Sequence, residues 1–215
     1  MLDLFVKKEI SDEEVMKKFQ NGNSGSFDIL LKRHSGGVLR FIMKMTGGNK
    51  THGEDLLQEI FLKVIEKRNR YDSEQKFTTW LYSIARNHCI DYLRSESYRR
   101  HSSLDAPLSE SDKSGTVVLE IVKSSDRGQE DKLYDKEVGE LINKGINSLK
   151  QEFKEVFILK EVEGLSLKEI ADITESPLGT VKSRLRYAYQ NLRQVFRESG
   201  YFEEGQKAKG VLSSS

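Results

Sequence analysis

The sequence predicts an all-α protein: two small helical domains, an N-terminal helical bundle and a C-terminal helix-turn-helix bundle, joined by a flexible linker. Three observations predict it. Apolar residues recur at three- and four-residue steps through residues 12 to 100 and again from about Glu130, with no strand-like alternation of any length. Between these stretches, residues 101–128 are rich in serine, acid and glycine and hold no sustained period. Only two prolines, Pro107 and Pro177, occur in 215 residues, so long helices run uninterrupted.

In the first helical stretch, Phe27, Leu30, Leu31, His34, Val38, Phe41, Ile42 and Met45 line one face of a helix that ends at Gly47-Gly48-Asn49. A second helix is expected from about Gly53 to Arg68. It turns Leu57, Ile60, Phe61 and Val64 inward and Asp55, Gln58 and Glu59 outward beside Leu62. After the polar stretch Arg70 to Lys76, a third helix is expected from near Thr78 to about Arg99, its apolar stripe Leu81, Ile84, Ala85, His88 and Tyr92. Opposite that stripe, Asn87, Asp91, Arg94 and Tyr98 fall at i, i+4, i+7 and i+11, with Arg86, Arg99 and Arg100 around them. An asparagine amide can donate and accept at a base edge, and arginine can hold phosphate or stack on a base. The loop before this helix, Tyr71 to Phe77, is polar with an aromatic at each end, a composition suited to an unstacked base. Trp80, Leu81 and Tyr92 read as core, and His88 as a satisfied core histidine rather than a catalytic group.

The linker composition cannot bury enough apolar surface to offset its ordering entropy, although Val117 to Val122 could dock locally. The last fifteen residues read as a frayed tail. The expected units are residues 10–100, a linker over 101–129, residues 130–197 and a tail over 198–215.

The C-terminal segment is the most specific. Ser166 and Glu169 have the spacing of a capping box, opening a helix that carries Leu167, Ile170, Ala171 and Ile173. After a break at Thr174 to Ser176, Ser176-Pro177 supplies an expected N-cap with proline in the first helical position. In the helix that follows, Val181, Leu185, Ala188 and Leu192 are expected inside. Thr180, Lys182, Ser183, Arg186, Tyr187 and Gln190 point outward. Two short helices, a tight break and a basic outer face describe a helix-turn-helix, whose second helix fits the major groove. The overall charge of +1 conceals a strong asymmetry. Ser176 to Arg197 carries Lys182, Arg184, Arg186, Arg193 and Arg197 with no acid, whereas Ser102 to Leu141 carries ten acids against five bases.

Other classes find little support. No apolar run approaches the ~18 residues of a membrane span, so no stable membrane insertion is expected. The opening residues lack a signal-peptide core, and the chain reads as cytoplasmic. One cysteine, Cys89, excludes an intrachain disulfide and a cysteine-cluster metal site, and the four histidines lack ligand spacing. No nucleophile is placed beside a base, so neither a catalytic residue, a metal nor a cofactor is expected. An autonomous helix-turn-helix repressor or activator is the alternative, but a sensor domain has no use for the Asn87 stripe beside the polar loop.

Both halves resemble one family, the bacterial RNA polymerase sigma factors of the sigma-70 family, and within it the two-domain extracytoplasmic-function (ECF) group. Residues 54–66 (EDLLQEIFLKVIE) resemble the helix that binds the polymerase clamp helices. Residues 77–94 (FTTWLYSIARNHCIDYLR) resemble the helix that reads and melts the minus-ten element, and residues 156–192 the domain that reads the minus-thirty-five element. The resemblance spans roughly residues 10 to 100 and 130 to 195 in the family's order. It implies a specificity subunit without catalysis of its own, which binds RNA polymerase core and promoter DNA and is held inactive by an anti-sigma factor. It assigns Asp55, Gln58 and Glu59 to polymerase. The minus-ten element falls to Tyr71, Lys76, Phe77, Asn87, Asp91 and Arg94. The minus-thirty-five element falls to Ser176, Thr180, Lys182, Ser183, Arg184, Arg186 and Tyr187. The sequence departs from the family pattern at Leu149-Lys150-Gln151, where Leu-Pro is common, and at Tyr187-Ala188-Tyr189, where many members have Arg-Ala-Arg. Phenols in place of cations there should weaken or redirect promoter contact.

Overall fold

The computed structural model describes residues 10–48, 50–102 and 129–200, and among them every regular element is a helix. The first half holds α1 (Asp12–Gln20), α2 (Gly25–Thr46), α3 (Lys50–Lys67) and α4 (Phe77–Ser102). The second holds α5 (Gln129–Ser148), α6 (Gln151–Phe157), α7 (Leu167–Thr174) and α8 (Leu178–Glu198). A 3-10 turn at Arg68–Arg70 follows α3, and a π-helical turn at Ile158–Val162 follows α6. Of the linker expected over 101–129, residues 103–128 lie outside the described residues, while His101 and Ser102 belong to α4 and Gln129 to α5; of the tail expected over 198–215, residues 201–215 lie outside them and Glu198 ends α8.

Local chemistry sets most helix ends. Ser11 caps α1, its Oγ accepting the Glu14 amide at 3.2 Å, with Asp12, Glu13 and Glu14 at the positive end of the dipole and Lys17 and Lys18 at the negative end. Gly47 ends α2 in the left-handed conformation, φ 91°, which glycine adopts without steric cost. Ser166 and Glu169 form the expected capping box: the Ser166 amide donates to Glu169 Oε2 at 2.8 Å and the Glu169 amide to Ser166 Oγ at 3.3 Å. Glu175 turns the chain between α7 and α8 with φ 51°, a left-handed backbone that a side chain rarely adopts.

The expected cap of α8 is displaced by one residue. The helix starts at Leu178, Pro177 occupies the capping position, and no side chain caps it. Ser176 Oγ is committed elsewhere, donating to the Thr174 carbonyl at 3.1 Å and accepting from Arg184 Nη1 at 3.2 Å. The Pro177 carbonyl instead accepts the amides of Thr180 and Val181.

Each half has its own apolar centre. Val15, Met16, Leu30, Val38, Phe41, Ile42, Ile60, Val64, Phe77, Leu81, Ala85 and Cys89 are at most 1% exposed in the first, as are Val156, Ile158, Leu159, Ile170, Ile173, Val181 and Ala188 in the second. Burying one such aliphatic or aromatic side chain contributes about 1.5–3 kcal/mol. The halves also meet: α7 packs on α4, and α6 and the π-turn pack on α2, so the two centres join in one cluster. Among the described residues no helix is long and apolar enough to cross a membrane.

Ser166→Ala removes the side-chain half of the capping box and is expected to lower stability by about 1 kcal/mol in urea unfolding. Acid should act on the same feature. Burial pushes the Glu169 carboxylate up, but hydrogen bonds from Ser166 and Lys76 outweigh it and hold the group down at about 2. A depressed carboxylate contributes stability above its unfolded value of about 4.5 and loses it as pH falls toward 2, so Ser166→Ala should flatten the acid limb of the stability profile between those values.

Candidate nucleic-acid interface

Asn87, Asp91, Arg94 and Tyr98 are all exposed along one face of α4. Asn87 Oδ1 accepts from Arg86 Nη1 at 3.2 Å, which leaves its amide nitrogen as an outward donor. The opposite face of α4 is core, with Leu81, Ala85 and Cys89 fully buried. His88 also sits on that side, its Nε2 2.6 Å from Glu59 Oε2 of α3. It is a satisfied histidine at the edge of the core, and its partner belongs to the acidic face of α3.

The loop before α4 differs from the sequence expectation at its two aromatic ends. Tyr71 is 5% exposed and Phe77 0%, so neither ring is available to an unstacked base in this conformation. With Trp80 they form an aromatic knot: Tyr71 lies 5.9 Å from Phe77 and 5.2 Å from Trp80, centroid to centroid. Burial first, and the neighbouring Glu13 carboxylate second, push the Tyr71 phenol up to about 12. The accessible part of the loop is Asp72 to Lys76.

That exposed stretch is framed by residues the sequence did not single out. Gln20 of α1 donates from Nε2 to the carbonyls of Arg68 (2.8 Å) and Tyr71 (2.9 Å), fixing the turn that leads into the loop. The Tyr71 hydroxyl donates across the loop to the Gln75 carbonyl at 2.6 Å, and the Glu74 amide donates to Asp72 Oδ1 at 3.0 Å. Glu13 Oε1 accepts the Phe77 amide at 3.0 Å, so α1 holds both ends. The Ser11-x-x-Glu14 capping spacing was the available signal for α1.

In the second half, α7, the turn at Glu175 and α8 make a helix-turn-helix. Lys182, Arg186 and Gln190 are exposed on α8, and with Leu167, Leu185 and Tyr189 they line a shallow cleft against α7. Thr180 and Ser183 are half-buried, Ser183 Oγ donating to the Thr180 carbonyl at 2.9 Å.

Two expected contact residues turn inward instead. Arg184 is 22% exposed; it donates to Ser176 Oγ and lies 3.6 Å from Glu155 and 3.8 Å from Glu152. Arg184 and Ser176 therefore hold α8 to α6 and to the turn. One helical step from Val181 or Ala188 brings an arginine over the edge of the core, where buried Glu155 captures it. Tyr187 and Tyr189 also serve packing. Tyr187 stacks on Phe153 (5.6 Å, 25°), and Tyr189 sits edge-on to Phe157 and donates its hydroxyl to Glu161. Tyr187 keeps an exposed edge, with the Arg186 guanidinium 5.4 Å from its ring centre.

On α3, Asp55, Gln58 and Glu59 are exposed beside Leu62, which is 56% exposed. Three carboxylate or amide groups around an exposed leucine form a surface with one apolar anchor and a polar rim.

Residues 30–99 match the family model of sigma-70 region 2, and residues 140–192 that of sigma-70 region 4. Together these matches contain the polar face of α4, α7, the turn and most of α8. The chain belongs to the sigma-70 family of RNA polymerase sigma factors. Its relatives are of the ECF type. The ECF RNA polymerase sigma-E factor of Escherichia coli (strain K12) is 29% identical over 181 residues, 84% of this chain and 91% of the relative. The ECF RNA polymerase sigma factor SigW of Bacillus subtilis (strain 168) is 28% identical over 197 residues, 92% of this chain and 100% of the relative. The chain is thus an ECF-type sigma factor, a protein of promoter-specific transcription initiation. Two solved structures share the fold. They are the sigma factor RpoE of Bartonella quintana, solved with the anti-sigma factor NepR (TM-score 0.61, 21% identity, 80% of this chain and 96% of that one), and CnrH, solved with the cytosolic domain of CnrY (TM-score 0.62, 20% identity, 88% and 99%).

Arg184→Ala and Lys182→Ala should separate packing from recognition. Arg184→Ala leaves Glu155 with one cation fewer and should lower stability by about 1.5–3 kcal/mol, whereas Lys182→Ala should stay within about 0.5 kcal/mol in the same denaturant titration. Gln20→Ala frees two carbonyls of the turn, and hydrogen exchange across residues 72–76 should rise while the amides inside α2 keep their protection.

Proposed function

We propose that this chain binds RNA polymerase core through α3, reads and melts the minus-ten element with α4 and its preceding loop, and reads the minus-thirty-five element with α8. The observation that supports this is the coexistence of two distinct exposed polar faces on one chain. The exposed face of Asn87, Asp91 and Arg94 follows a pre-shaped polar loop, and a helix-turn-helix exposes Lys182 and Arg186. Domain units of 10–100 and 130–197 divide these tasks, with 101–129 as the linker.

Each face has the chemistry its task needs. Melting takes a base out of the stack, which costs a few kcal/mol and is offset by a shaped pocket. A loop held by Gln20, Tyr71 and Glu13 supplies that shape without ordering on arrival, and Asp72 to Lys76 are its reachable residues. Asn87 offers an amide donor at the upstream edge, and Arg94 a phosphate contact. In the major groove, Lys182 and Arg186 meet phosphate or guanine edges, while the half-buried Thr180 and Ser183 lie at the N-terminal end of the helix that enters first. Asp55, Gln58 and Glu59 would meet a basic partner surface with Leu62 as the anchor at its centre. The chemistry of RNA synthesis belongs to the polymerase, and the proposed role asks no nucleophile, metal or cofactor of this chain. An anti-sigma factor, as solved with the structural relatives, is the expected cytoplasmic regulator.

The test uses polymerase core, the full chain and a promoter fragment. Asp55→Lys with Glu59→Lys should weaken binding to core at least tenfold on a sizing column or by fluorescence anisotropy, and undiminished affinity would remove that patch from the interface. Lys182→Ala should leave core binding intact and reduce promoter affinity of the assembled complex about tenfold, with the salt slope falling by about one. Equal loss of both activities would contradict the division of labour.

A further inference from the structure

Single exposed leucines are ordinary on a protein surface, so position rather than exposure singles out Leu178. Leu178 is 43% exposed and opens α8, the helix whose outer face carries Lys182 and Arg186. It stands one helical turn ahead of Lys182, at the i, i+4 spacing of neighbours on one face. It also stays outside the apolar cluster that takes in Val181 and, at its edge, Leu185. Pro177, Leu178 and Gly179 lead the chain into the helix; all are exposed, and none has a side chain that can hydrogen-bond. The first exposed side chain of α8 able to do so is Lys182, since Thr180 is half-buried.

Gly179 supplies a second, independent observation. Its backbone lies outside the left-handed region, so its conformation does not call for glycine. Apart from its chain neighbours and the backbone of its own helix, no atom lies within 4 Å of where a Cβ would stand, so packing does not call for glycine either. In a helix a glycine costs stability relative to alanine. Gly179, Lys182, Ser183 and Arg186 fall at i, i+3, i+4 and i+7, which puts the bare backbone at the head of the outer stripe. A glycine there serves whatever approaches from outside.

We propose that Leu178 is a specificity-determining residue that packs on the C5-methyl group of a thymine in the minus-thirty-five element, while the bare backbone at Gly179 admits the base edge. This rests on the assignment of α8 to that element.

The chemistry of the groove selects the base. A recognition helix places its N-terminal residues at base edges. In the major groove guanine presents two acceptors, adenine an acceptor and a donor, cytosine a donor, and thymine an acceptor beside a methyl group. Leucine satisfies none of the polar groups, and laid over one it leaves that group without a partner where water is excluded. The thymine methyl is the feature it covers with gain. Preference then has two sources: apolar burial on thymine, and hydrogen bonds lost on the other bases. Lys182 and Arg186 contribute charge instead, so the two kinds of contact answer to different changes in the DNA.

The probe is a labelled promoter duplex from a start site that the chain directs. It is bound by the full chain assembled with polymerase core and read by fluorescence anisotropy. Each thymine of the upstream element, on either strand, is replaced in turn by deoxyuridine, which pairs alike and lacks only the methyl group. One replacement should lower the affinity of the parent complex about fourfold, the order expected for one buried methyl group. Leu178→Ala should bind the unmodified duplex about fourfold more weakly, lose less than about 1.5-fold on that same replacement, and keep the parent's salt slope. Gly179→Ala should unfold at the parent's temperature or higher, yet bind the promoter at least about fourfold more weakly.

A parent complex indifferent to every replacement, or a loss that Leu178→Ala shows undiminished, would overturn methyl reading by Leu178. Unchanged promoter affinity in Gly179→Ala would overturn the close approach of the backbone. Lys182→Ala separates these failures from that of the broader assignment. If it leaves promoter affinity intact, α8 is not the reading helix and the leucine contact falls with it. If it lowers affinity while the deoxyuridine replacements do nothing, only the leucine contact falls.

Discussion

Glu155 is the residue on which the mutual arrangement of α4 and α8 depends. Its side chain is 4% exposed, and a carboxylate buried to that degree needs hydrogen-bonding partners. It takes them from two directions: Arg86 of α4 at 2.8 Å and Arg184 of α8 at 3.6 Å. One buried acid thus meets Arg86 of α4 and the inner side of α8. Arg184 reaches Ser176 as well, so the turn of the helix-turn-helix is tied to the same point. Removing one partner of a buried pair leaves an uncompensated charge, and substitutions at this point act on several elements at once.

Inner and outer residues of α8 then divide cleanly. Arg184, Tyr187 and Tyr189 bind the helix to α6 and the π-turn, through Glu155, Phe153, Phe157 and Glu161. Lys182 and Arg186 remain exposed on the outer face. At Tyr187 and Tyr189 this chain uses aromatic rings to secure the helix. In the first half α1 has the corresponding role, since Gln20 and Glu13 fix a loop whose exposed residues are few and polar.

Much of this was legible in the sequence. The helical periods placed α2, α3 and α4 within a few residues, and the Ser166–Glu169 spacing located the start of α7 because capping is a local interaction between neighbours. The exposed stripe of Asn87, Asp91 and Arg94 followed from the 3.6-residue period and the buried opposite face. Long-range choices were not legible. Tyr71 and Phe77 are aromatic residues flanking a polar loop, and sequence cannot tell whether a ring points out to a base or in to Trp80. Arg184 looked like its neighbours Lys182 and Arg186, and only the position of Glu155, distant in sequence, turns it inward. The Ser176 cap failed for the same reason, because Arg184 and the Thr174 carbonyl compete for its hydroxyl.

The most direct test of sigma activity is transcription reconstituted from polymerase core, the purified chain and total bacterial DNA, with the 5′ ends of all transcripts mapped. A sigma factor produces a defined set of start sites that depends on the chain and shares two upstream sequence elements near positions minus ten and minus thirty-five. Start sites identical with and without the chain, or chain-dependent starts lacking a shared pair of elements, would contradict it.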